Sequence, residues 1–521
     1  MRASALKGGL ALGSGIVALA LVFGCASLPS MPPRSASTAS TAIQDTAGTR
    51  LGTAIVPLAA AHPGLSGFVP LAAGRDAFAA RALLAQRAER SLDLQYYIWR
   101  DDLTGMLLLD ALREAAARGV RVRLLLDDNN TAGLDPVLAA LDRDPNIEIR
   151  LFNPFASRDW RSLGYLTDFR RLNRRMHNKS FTADNQVTIV GGRNIGDEYF
   201  DAAGDLLFVD VDVMAIGPVV QAVSHDFDRY WNSASAYPVA SLVPAGEAQA
   251  PGTLARRVAD LRKAPAAQGY IDALRTLPFV EQLVQRRLPL EWAPARLVSD
   301  DPAKVLGNGQ PEAMVAVKLR DLLGQPQRQV DLVSPYFVPG KDTTRMLGDL
   351  ARRGVKVRIL TNSLEATDVA AVHAGYAKWR RELLEAGVQL FELRRVAAND
   401  APRERLGPLG SSGSSLHAKT FGVDGGRVFV GSFNLDPRSI ELNTEMGFVI
   451  DSAALAGELD ARLSQAMPGS AYEVKLEPGG KLVWLERTGQ GVRRHETEPG
   501  TSAWKRASVR VLSWLPIDWL L

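Results

Sequence analysis

One string of residues occurs twice in this chain, and the two copies agree position by position. In each copy a histidine is followed by a lysine two residues on, an aspartate seven on, a glycine fourteen on and an asparagine seventeen on. The copies are His177, Lys179, Asp184, Gly191 and Asn194, and His417, Lys419, Asp424, Gly431 and Asn434. A repeat of this specificity indicates a chain built from two similar halves, each of which contributes one copy.

Each copy predicts a β-hairpin. Phe181 and Phe421 lie in the first strands, and the Asp-Asn or Asp-Gly-Gly sequence that follows is typical of a tight turn. The return strands are predicted at residues 187–190 and 428–430. Side chains two residues apart on a strand point to the same face, so the histidine and lysine of each copy share a face. A small residue ends each return strand and lets a ligand approach the backbone.

The asparagine after each hairpin adds an amide donor to this imidazole and ammonium. Two copies that face one another would surround a tetrahedral anion, and a phosphodiester is the obvious ligand. A single histidine or lysine on a strand is most often structural, but duplication of the whole pattern argues against that interpretation. The pattern is not that of a metal site, because a protonated lysine cannot ligate and no His-Glu-x-x-His or paired-cysteine spacing is present. No cofactor is expected.

The two strings resemble the duplicated His-x-Lys motif of the phospholipase D superfamily, and the repeats around them cover most of the chain. Within that superfamily the chain resembles the bacterial cardiolipin synthases, their C type in particular. This finer resemblance rests on Leu94-Gln95-Tyr96-Tyr97-Ile98-Trp99, Leu126-Asp127-Asp128 and Leu515-Pro516-Ile517-Asp518.

The resemblance implies a covalent mechanism. His177 would attack phosphorus and form a phosphohistidine, while His417 would protonate the leaving alcohol and then deprotonate the incoming one. Donors from both copies would neutralise and hold the phosphoryl oxygens in the transition state. These donors are Lys179, Lys419, Asn194, Asn434 and Ser432.

Carboxylates near the motif are expected to orient the histidines. A carboxylate on the far ring nitrogen of an imidazole fixes its tautomer. Asp205 and Glu445 are placed for this role, each twenty-eight residues after the histidine of its own copy. Asp184 and Asp424 belong to the catalytic motif, and we expect them to act structurally in the hairpin turns.

The expected activity is transphosphatidylation, in which a phosphatidyl group moves to the alcohol of a second phospholipid and cardiolipin is formed. Phosphatidylglycerol is the expected substrate, with phosphatidylethanolamine as a second candidate, and any helper protein is unknown. One alternative is hydrolysis of a phospholipid or nucleic-acid phosphodiester, since water is also a nucleophile. Another is a non-catalytic, lipid-binding envelope lipoprotein, which the two intact motifs disfavour. A net charge of +4 over 521 residues does not indicate a nucleic-acid partner.

The N-terminus has the pattern of a targeting segment. Arg2 and Lys7 precede an apolar run, and Cys25 follows it as the only cysteine of the chain. This pattern is typical of a lipoprotein signal peptide that is cut before an acylated cysteine. We therefore expect a lipid-anchored protein on the periplasmic side of the cell envelope. An uncleaved membrane anchor is the alternative, but the apolar run is short for a spanning helix.

The remaining sequence predicts an α/β fold of two tandem sandwiches. Strands alternate with helices, and Arg118-Gly119-Val120-Arg121-Val122-Arg123 returns as Arg353-Gly354-Val355-Lys356-Val357-Arg358. We expect a pseudo-twofold axis with the active site at the interface of the repeats. The expected segments are a signal peptide (1–24), a tether (25–75), a first repeat (76–235), an insertion (236–311), a second repeat (312–470) and a C-terminal hairpin and tail (471–521).

The C-terminal tail mixes tryptophans with basic residues, namely Trp504, Lys505, Arg506, Arg510, Trp514 and Trp519. Such interleaving is typical of a segment that lies on a membrane surface. The alternative is a helix packed against the second repeat, and the sequence does not favour one over the other.

Overall fold

Two mixed β-sheets form the framework of the protein. The computed structural model describes residues 40–202, 208–275, 287–395, 415–465 and 467–514, together with the single residues 28, 278 and 282. The strands of the first half are β1 (Ser66–Leu71), β2 (Ser91–Tyr96), β3 (Arg121–Asp127), β4 (Ile147–Phe152), β5 (Ser180–Ala183), β6 (Val187–Gly191), β7 (Phe208–Val209), β8 (Asp212–Ile216), β9 (Ala236–Pro238) and β10 (Glu291–Ala293). Those of the second half are β11 (Ala295–Ser299), β12 (Gln329–Val333), β13 (Lys356–Asn362), β14 (Gln389–Leu393), β15 (Ser415–Leu416), β16 (Thr420–Val423), β17 (Arg427–Gly431), β18 (Met446–Ile450), β19 (Ala471–Leu476), β20 (Leu482–Thr488) and β21 (Gly491–His495).

The two sheets share a central strand order. The first runs β10-β1-β8-β6-β5-β2-β3-β4-β9, and the second runs β11-β18-β17-β16-β12-β13-β14-β19-β20-β21. In both, the hairpin of the repeated motif (β5–β6 and β16–β17) lies beside a parallel group (β2-β3-β4 and β12-β13-β14). The hairpins are in register as expected, with Phe181 opposite Ile189 and Phe421 opposite Phe429. The predicted α/β fold of two similar repeats is confirmed.

Helices cover the sheets and connect their parallel strands. In the first half they are α1 (Arg50–Ala60), α2 (Gly74–Arg87), α3 (Leu103–Ala117), α4 (Asp135–Leu141), α5 (Arg161–Thr167), α6 (Phe169–Leu172), α7 (Pro218–Trp231), α8 (Thr253–Lys263) and α9 (Pro265–Arg275). In the second half they are α10 (Val315–Leu323), α11 (Gly340–Arg352), α12 (Ala370–Ala377), α13 (Arg380–Glu385), α14 (Ala453–Gln465), α15 (Met467–Ser470) and α16 (Ala503–Trp514). Among the described residues, no helix is both long enough and apolar enough to cross a membrane.

A buried ion pair is repeated at the same place in both halves. Arg123 on β3 donates from Nε to Asp93 Oδ1 on β2 at 2.7 Å, and Arg358 on β13 donates to Asp331 on β12 at 2.7 Å. The arginine ends the duplicated basic string, and its carboxylate lies directly opposite on the neighbouring strand. Buried charges require such partners, so the repeat extends from backbone order to individual buried contacts.

The halves meet along an apolar seam between β6–β8 and β17–β18. Val190 and Val213 of the first half pack with Val430 of the second in one buried cluster. Phe68 and Phe448 meet edge-on across the seam, with their ring centroids 5.9 Å apart. The hairpins of the two halves are therefore side by side, which brings their motifs together.

Short parallel pairings also cross between the halves. Residues 415–416 in β15 pair with residues 208–209 in β7, so that Leu416 lies opposite Val209. At the equivalent place on the other side of the pseudo-twofold arrangement, Met176 of the first half lies opposite Thr444 of the second in an isolated parallel bridge. Each pairing joins the residue before a motif histidine to the residue before a carboxylate of the other half.

The fold begins earlier than the expected tether allowed. Thr49 caps α1 by accepting the N–H of Gly52 at 3.0 Å, and Ile55 of that helix is buried. Strand β1 then joins the first sheet with Phe68 in the core. The Ala- and Gly-rich composition hid the apolar face that these elements bury.

The expected insertion is also part of the sheets. Strand β9 lies at one edge of the first sheet, β10 pairs with β1, and β11 pairs with β18 of the second sheet. Helices α8 and α9 of this segment lie outside the sheets: Arg257 of α8 pairs with Asp101 at 2.7 Å, and Tyr270 of α9 meets Phe78 edge-on.

The predicted C-terminal hairpin is confirmed as β19–β20, and it extends the second sheet beyond β14. The expected signal peptide, Cys25, Asp205 and Trp519 lie outside the described residues.

Candidate active site

The two motif histidines lie at matching places, each just before the first strand of its hairpin. A polar side chain at the end of β3 or β13 fixes the residue before the histidine in each half. Asp127 accepts the N–H of Met176 at 2.8 Å, and Asn362 accepts the N–H of Leu416 at 2.9 Å. The histidines retain small exposed fractions of 6% and 7%, and we call the surface at which they are exposed the catalytic opening.

Each histidine is paired with a carboxylate of the opposite half. His177 Nδ1 lies 2.8 Å from Glu445 Oε2, and His417 Nδ1 lies 2.6 Å from Asp210 Oδ2. The cross-half pairings explain this arrangement, because they set Thr444 beside Met176 and Val209 beside Leu416. With Nδ1 held by the carboxylate, Nε2 is the ring nitrogen that would react with a substrate.

The expected orienting carboxylates were therefore assigned wrongly in two respects. Glu445 orients the histidine of the first copy and not that of its own copy. The carboxylate on His417 is Asp210, a residue that the sequence analysis did not single out, whereas Asp205 lies outside the described residues. A gapless comparison of the copies misses Asp210, because it follows Asn194 by sixteen residues while Glu445 follows Asn434 by eleven. The strand that follows is a usable signal, because Asp210 lies two residues before β8 and Glu445 lies directly before β18.

Hydroxyl groups hold Glu445 in place. Ser432 Oγ donates to Glu445 Oε2 at 2.5 Å, and Ser439 Oγ donates to Oε1 at 2.7 Å. Ser432 also accepts the N–H of Met446 at 3.0 Å. Ser432, predicted to bind phosphate, is thus occupied with the carboxylate that orients His177.

Burial gives the two carboxylates different protonation behaviour. Burial raises the pKa of Glu445 to about 7, against the opposing charge of Lys179. Burial alone would also raise the pKa of Asp210, but that pKa is lowered by His417 first and then by Lys419. Asp210 is therefore ionised at neutral pH, while Glu445 titrates near neutrality.

Both imidazoles are neutral at pH 7 in the empty site. Burial, Lys179 and Lys419 hold the pKa of His177 well below its ordinary value. Burial and Lys419 lower the pKa of His417 to about 4, although Asp210 opposes this shift. A neutral His177 with a carboxylate on Nδ1 has a free lone pair on Nε2, as a nucleophile requires.

The two lysines are buried beside their histidines. Lys179 Nζ donates to the carbonyl of His177 at 2.5 Å, and Lys419 Nζ donates to the carbonyl of His417 and lies 2.9 Å from its Nδ1. Burial lowers the pKa of Lys179 well below the ordinary value and that of Lys419 to about 8. A phosphodiester bound here would gain from both charges and would favour their protonated forms.

The two asparagines differ in their contacts. Asn194 is engaged on both sides: Oδ1 accepts the N–H of Ile98 at 3.1 Å, and Nδ2 donates to Tyr199 Oη at 3.0 Å. Asn434 donates its backbone N–H to Ser439 Oγ at 3.3 Å, and its Oδ1 is buried without a hydrogen-bond partner in the described part of the chain. The asparagines therefore differ in their contacts within the protein, and their role in binding phosphate stays a prediction.

The motif aspartates lie at the far ends of the hairpins from the histidines. Asp184 accepts backbone N–H groups of residues 89–91, and Asp424 accepts those of residues 327–329. Both adopt positive φ angles, 49° and 53°, which aspartate tolerates in turns. These contacts match the expected turn role and leave both aspartates without contact to the catalytic groups.

Tyrosines line the site, and sequence reasoning missed their role. The Tyr97 ring meets His177 edge-on at 4.9 Å between centroids, and Tyr199 meets His417 edge-on at 5.2 Å. Tyr336 donates to Asp368 Oδ2 at 2.7 Å, and burial, followed by Asp368, raises its pKa well above the ordinary value. Tyr97 belongs to the string from Leu94 to Trp99, on which the resemblance to the cardiolipin synthases rests. That string was the sequence signal for a tyrosine at the site.

Comparisons with known proteins agree with this geometry. The family described as cardiolipin synthase with a PLD-like domain matches residues 83–231 and 319–467. Cardiolipin synthase C of Escherichia coli is 51% identical over 475 residues, covering 91% of this chain and 100% of that protein. An uncharacterised protein of Helicobacter pylori is 31% identical, covering 85% of this chain and 88% of that protein.

A solved structure shares the fold at low sequence identity. The crystal structure of phosphatidylserine synthase from Haemophilus influenzae aligns with a TM-score of 0.55 at 14% identity, covering 88% of this chain and 97% of that one. The two family matches fall on the two halves that carry the histidine–lysine motifs. The chain therefore belongs to the cardiolipin synthase family, whose two phospholipase D-like repeats form one fold.

Proposed function

We propose that this enzyme makes cardiolipin by moving a phosphatidyl group from one phospholipid to the alcohol of another through a phosphohistidine at His177. The observation that carries the proposal is the pair of crossed contacts, His177 with Glu445 and His417 with Asp210. They hold two imidazoles by Nδ1 and so orient Nε2 of each ring for one anionic group, as a double displacement requires. The similarity to cardiolipin synthase C supports the choice of lipid.

In the first step Nε2 of His177 attacks phosphorus, and the bond from phosphorus to the leaving alcohol breaks. His417 gives the proton of its Nε2 to that alcohol. In the second step the hydroxyl of the acceptor phospholipid loses its proton to His417 and attacks phosphorus. The bond to His177 then breaks, and both histidines return to their initial states.

A proton must enter the site before this cycle begins, because the low pKa values leave both imidazoles neutral at pH 7. Binding of an anionic phosphodiester offsets the charges of Lys179 and Lys419, which are among the causes of the low histidine pKa values. The substrate therefore raises the proton affinity of His417, whose pKa the ionised Asp210 also supports. Substrate binding thus prepares the general acid.

The two lysines would stabilise the phosphoryl oxygens in the transition state. Both ammonium groups are buried, so their charges act in a low-dielectric site where an anion gains more than in water. We propose Asn434 as the asparagine that binds phosphate. Asn194 instead positions Ile98, which follows β2, and Tyr199.

We further propose that the chain is a lipoprotein of the cell envelope, acylated at Cys25 after removal of residues 1–24 and exposed to the periplasm. The basic start, the apolar run and the single cysteine support this. Phosphatidylglycerol is the proposed substrate, with phosphatidylethanolamine as a second donor.

Incubation with phosphatidylglycerol, followed by mass spectrometry of the lipids, tests the activity. We expect cardiolipin together with free glycerol. Phosphatidic acid as the main product would establish hydrolysis instead, and unchanged lipid would leave the protein as a non-catalytic lipid binder. The His177→Ala variant is the control for contaminating enzymes.

A further inference from the structure

Exposed apolar side chains are concentrated on two segments of the surface. Among the described residues, the four most exposed large apolar side chains are Trp504 (81%), Leu166 (79%), Trp514 (76%) and Trp160 (67%). Two of them lie at helix α5, and two lie on helix α16. Single exposed apolar residues are ordinary, but tryptophans gathered in this way mark an interaction surface.

The first segment leads directly into the nucleophile. Residues 160–172 end five residues before His177, and Arg438 ties the turn that follows by donating to Asn173 Oδ1 at 2.6 Å. Tyr165 of α5 donates to Asn129 Oδ1 at 2.7 Å, beside the β3 end that positions Met176. Trp160 and Leu166 are therefore the exposed residues of a segment that hydrogen bonds tie to the surroundings of Met176 and His177.

The second segment is held rigidly on the other half. Val509 of α16 is buried with Ala370 and Ala374 of α12. Just before the helix, Glu498 accepts hydrogen bonds from Arg380 at 2.5 Å and pairs with His373 at 2.9 Å. Because α16 is fixed in this way, the exposure of its tryptophans does not come from a loose terminus.

The exposed residues of α16 lie along one stripe of the helix. Trp504, Val511 and Trp514 are seven and three residues apart, which places them on neighbouring turns of one face. Val509 is on the opposite side, against α12. Helix α12 starts two residues after Asp368, the partner of Tyr336 at the active site. The helix that holds α16 therefore begins close to Asp368 and its partner Tyr336.

Both segments carry positive charge. Helix α16 contains Lys505, Arg506 and Arg510 and has no acidic residue. Around α5 and α6, aspartates pair with Arg158, Arg161, Arg171 and Arg175, while Arg170 and Arg174 add positive charge to the segment. Interfacial tryptophan with neighbouring cations complements a bilayer of anionic phospholipid, where the rings enter the headgroup layer and the cations meet phosphate.

We propose that the Trp160–Leu166 face and the Trp504–Trp514 face together dock the enzyme on an anionic phospholipid bilayer, with the catalytic opening between them facing the lipid. This inference rests on the proposed function, because it assumes that the substrate enters from the bilayer. A lipid anchor alone concentrates the enzyme at the membrane, whereas two docking faces on opposite halves also fix its orientation.

The test uses the full-length chain on phosphatidylglycerol vesicles. The variants are Trp160→Glu/Leu166→Glu and Trp504→Glu/Trp514→Glu, and the matched control is Val492→Glu, an exposed apolar position on β21. We expect each double variant to lower the rate of cardiolipin formation on vesicles about tenfold or more. Rates on short-chain phosphatidylglycerol dispersed as monomers should not change, and the control should change neither rate.

A binding measurement separates this inference from the proposed activity. Phosphatidylglycerol vesicles with brominated acyl chains should quench the tryptophan fluorescence of the full-length protein. Trp504→Phe/Trp514→Phe should reduce that quenching. Unchanged quenching in this variant, or vesicle rates equal to those of Val492→Glu, would overturn the docking inference even if cardiolipin is formed. If no cardiolipin forms from either lipid preparation, the proposed function fails and the quenching alone tests docking. Loss of a dimer in Trp504→Glu/Trp514→Glu, with vesicle rates unchanged, would assign the face to self-association and overturn the inference.

Discussion

Replacement of Glu445 by glutamine tests the crossed architecture directly. Glu445 is fully buried and contacts Nδ1 of His177 at 2.8 Å, while Ser432 and Ser439 occupy its oxygens. Phosphorylation at Nε2 makes the ring of His177 cationic as long as Nδ1 keeps its proton. Glu445 then stabilises that cation, and glutamine removes the charge while it keeps the size and most hydrogen bonds.

The loss follows from the strength of this contact. A hydrogen bond to a charged group contributes about 1.5–3 kcal/mol, and about 1.4 kcal/mol changes a rate tenfold. Glu445→Gln should therefore slow formation of the phosphohistidine by roughly 10- to 150-fold. The wild-type kcat/KM should also rise as pH increases through about 7, where Glu445 ionises, and the variant should lose that rise.

A single-turnover assay in the His417→Asn background isolates the step, because the intermediate accumulates when the acid–base residue is missing. Rapid quenching and mass spectrometry measure phosphohistidine on His177. Asp210→Asn is the matched control in this background, since Asp210 contacts the ring that has already been removed. Comparable losses in both variants, or no loss in Glu445→Gln, would refute the assignment of Glu445 to His177.

Four further outcomes are expected. His177→Ala and His417→Ala should each abolish turnover with the fold retained in circular dichroism, and His417→Asn but not His177→Asn should trap phosphohistidine; the reverse pattern would exchange the two roles. The wild-type kcat/KM should fall as pH rises above about 8, where Lys419 loses its proton in the free enzyme, and Lys419→Arg should move that fall to higher pH. Activity should survive excess chelator, and loss that a divalent ion restores would contradict the phosphohistidine route. Cys25→Ser should abolish labelling of the membrane fraction with palmitate, whereas unchanged labelling would rule out acylation at this residue.

Local patterns in the sequence predicted the hairpins and the repeat well. The alternation of side chains around Phe181 and Phe421, followed by turn residues, predicted the strands of both hairpins and their register. The similar strings that end in Arg123 and Arg358 predicted equivalent strands, which are β3 and β13. The structure adds a buried carboxylate that pairs with each arginine.

Contacts between the halves could not be predicted in the same way. The pairings of Met176 with Thr444 and of Leu416 with Val209 join residues far apart in sequence. No local propensity reports such a contact. Asp210 lies five residues further from Asn194 than Glu445 lies from Asn434, and this breaks the spacing that a comparison of the copies relies on. Strand β1 escaped prediction because its apolar residues are few and stand among glycine and proline, although the sheet buries Phe68 fully.

The crossed carboxylates make catalysis a property of the assembled pair of halves. When the first half has left the ribosome and the second has not, His177 has no Glu445 beside it and no second imidazole to supply a proton. The chain therefore becomes active only when residues near its C-terminal part have closed onto the first half. Under the proposed mechanism, the activity is thus absent until synthesis has passed Glu445 and the two halves have assembled. Any condition that loosens the apolar seam between the halves should switch off the chemistry before either half unfolds.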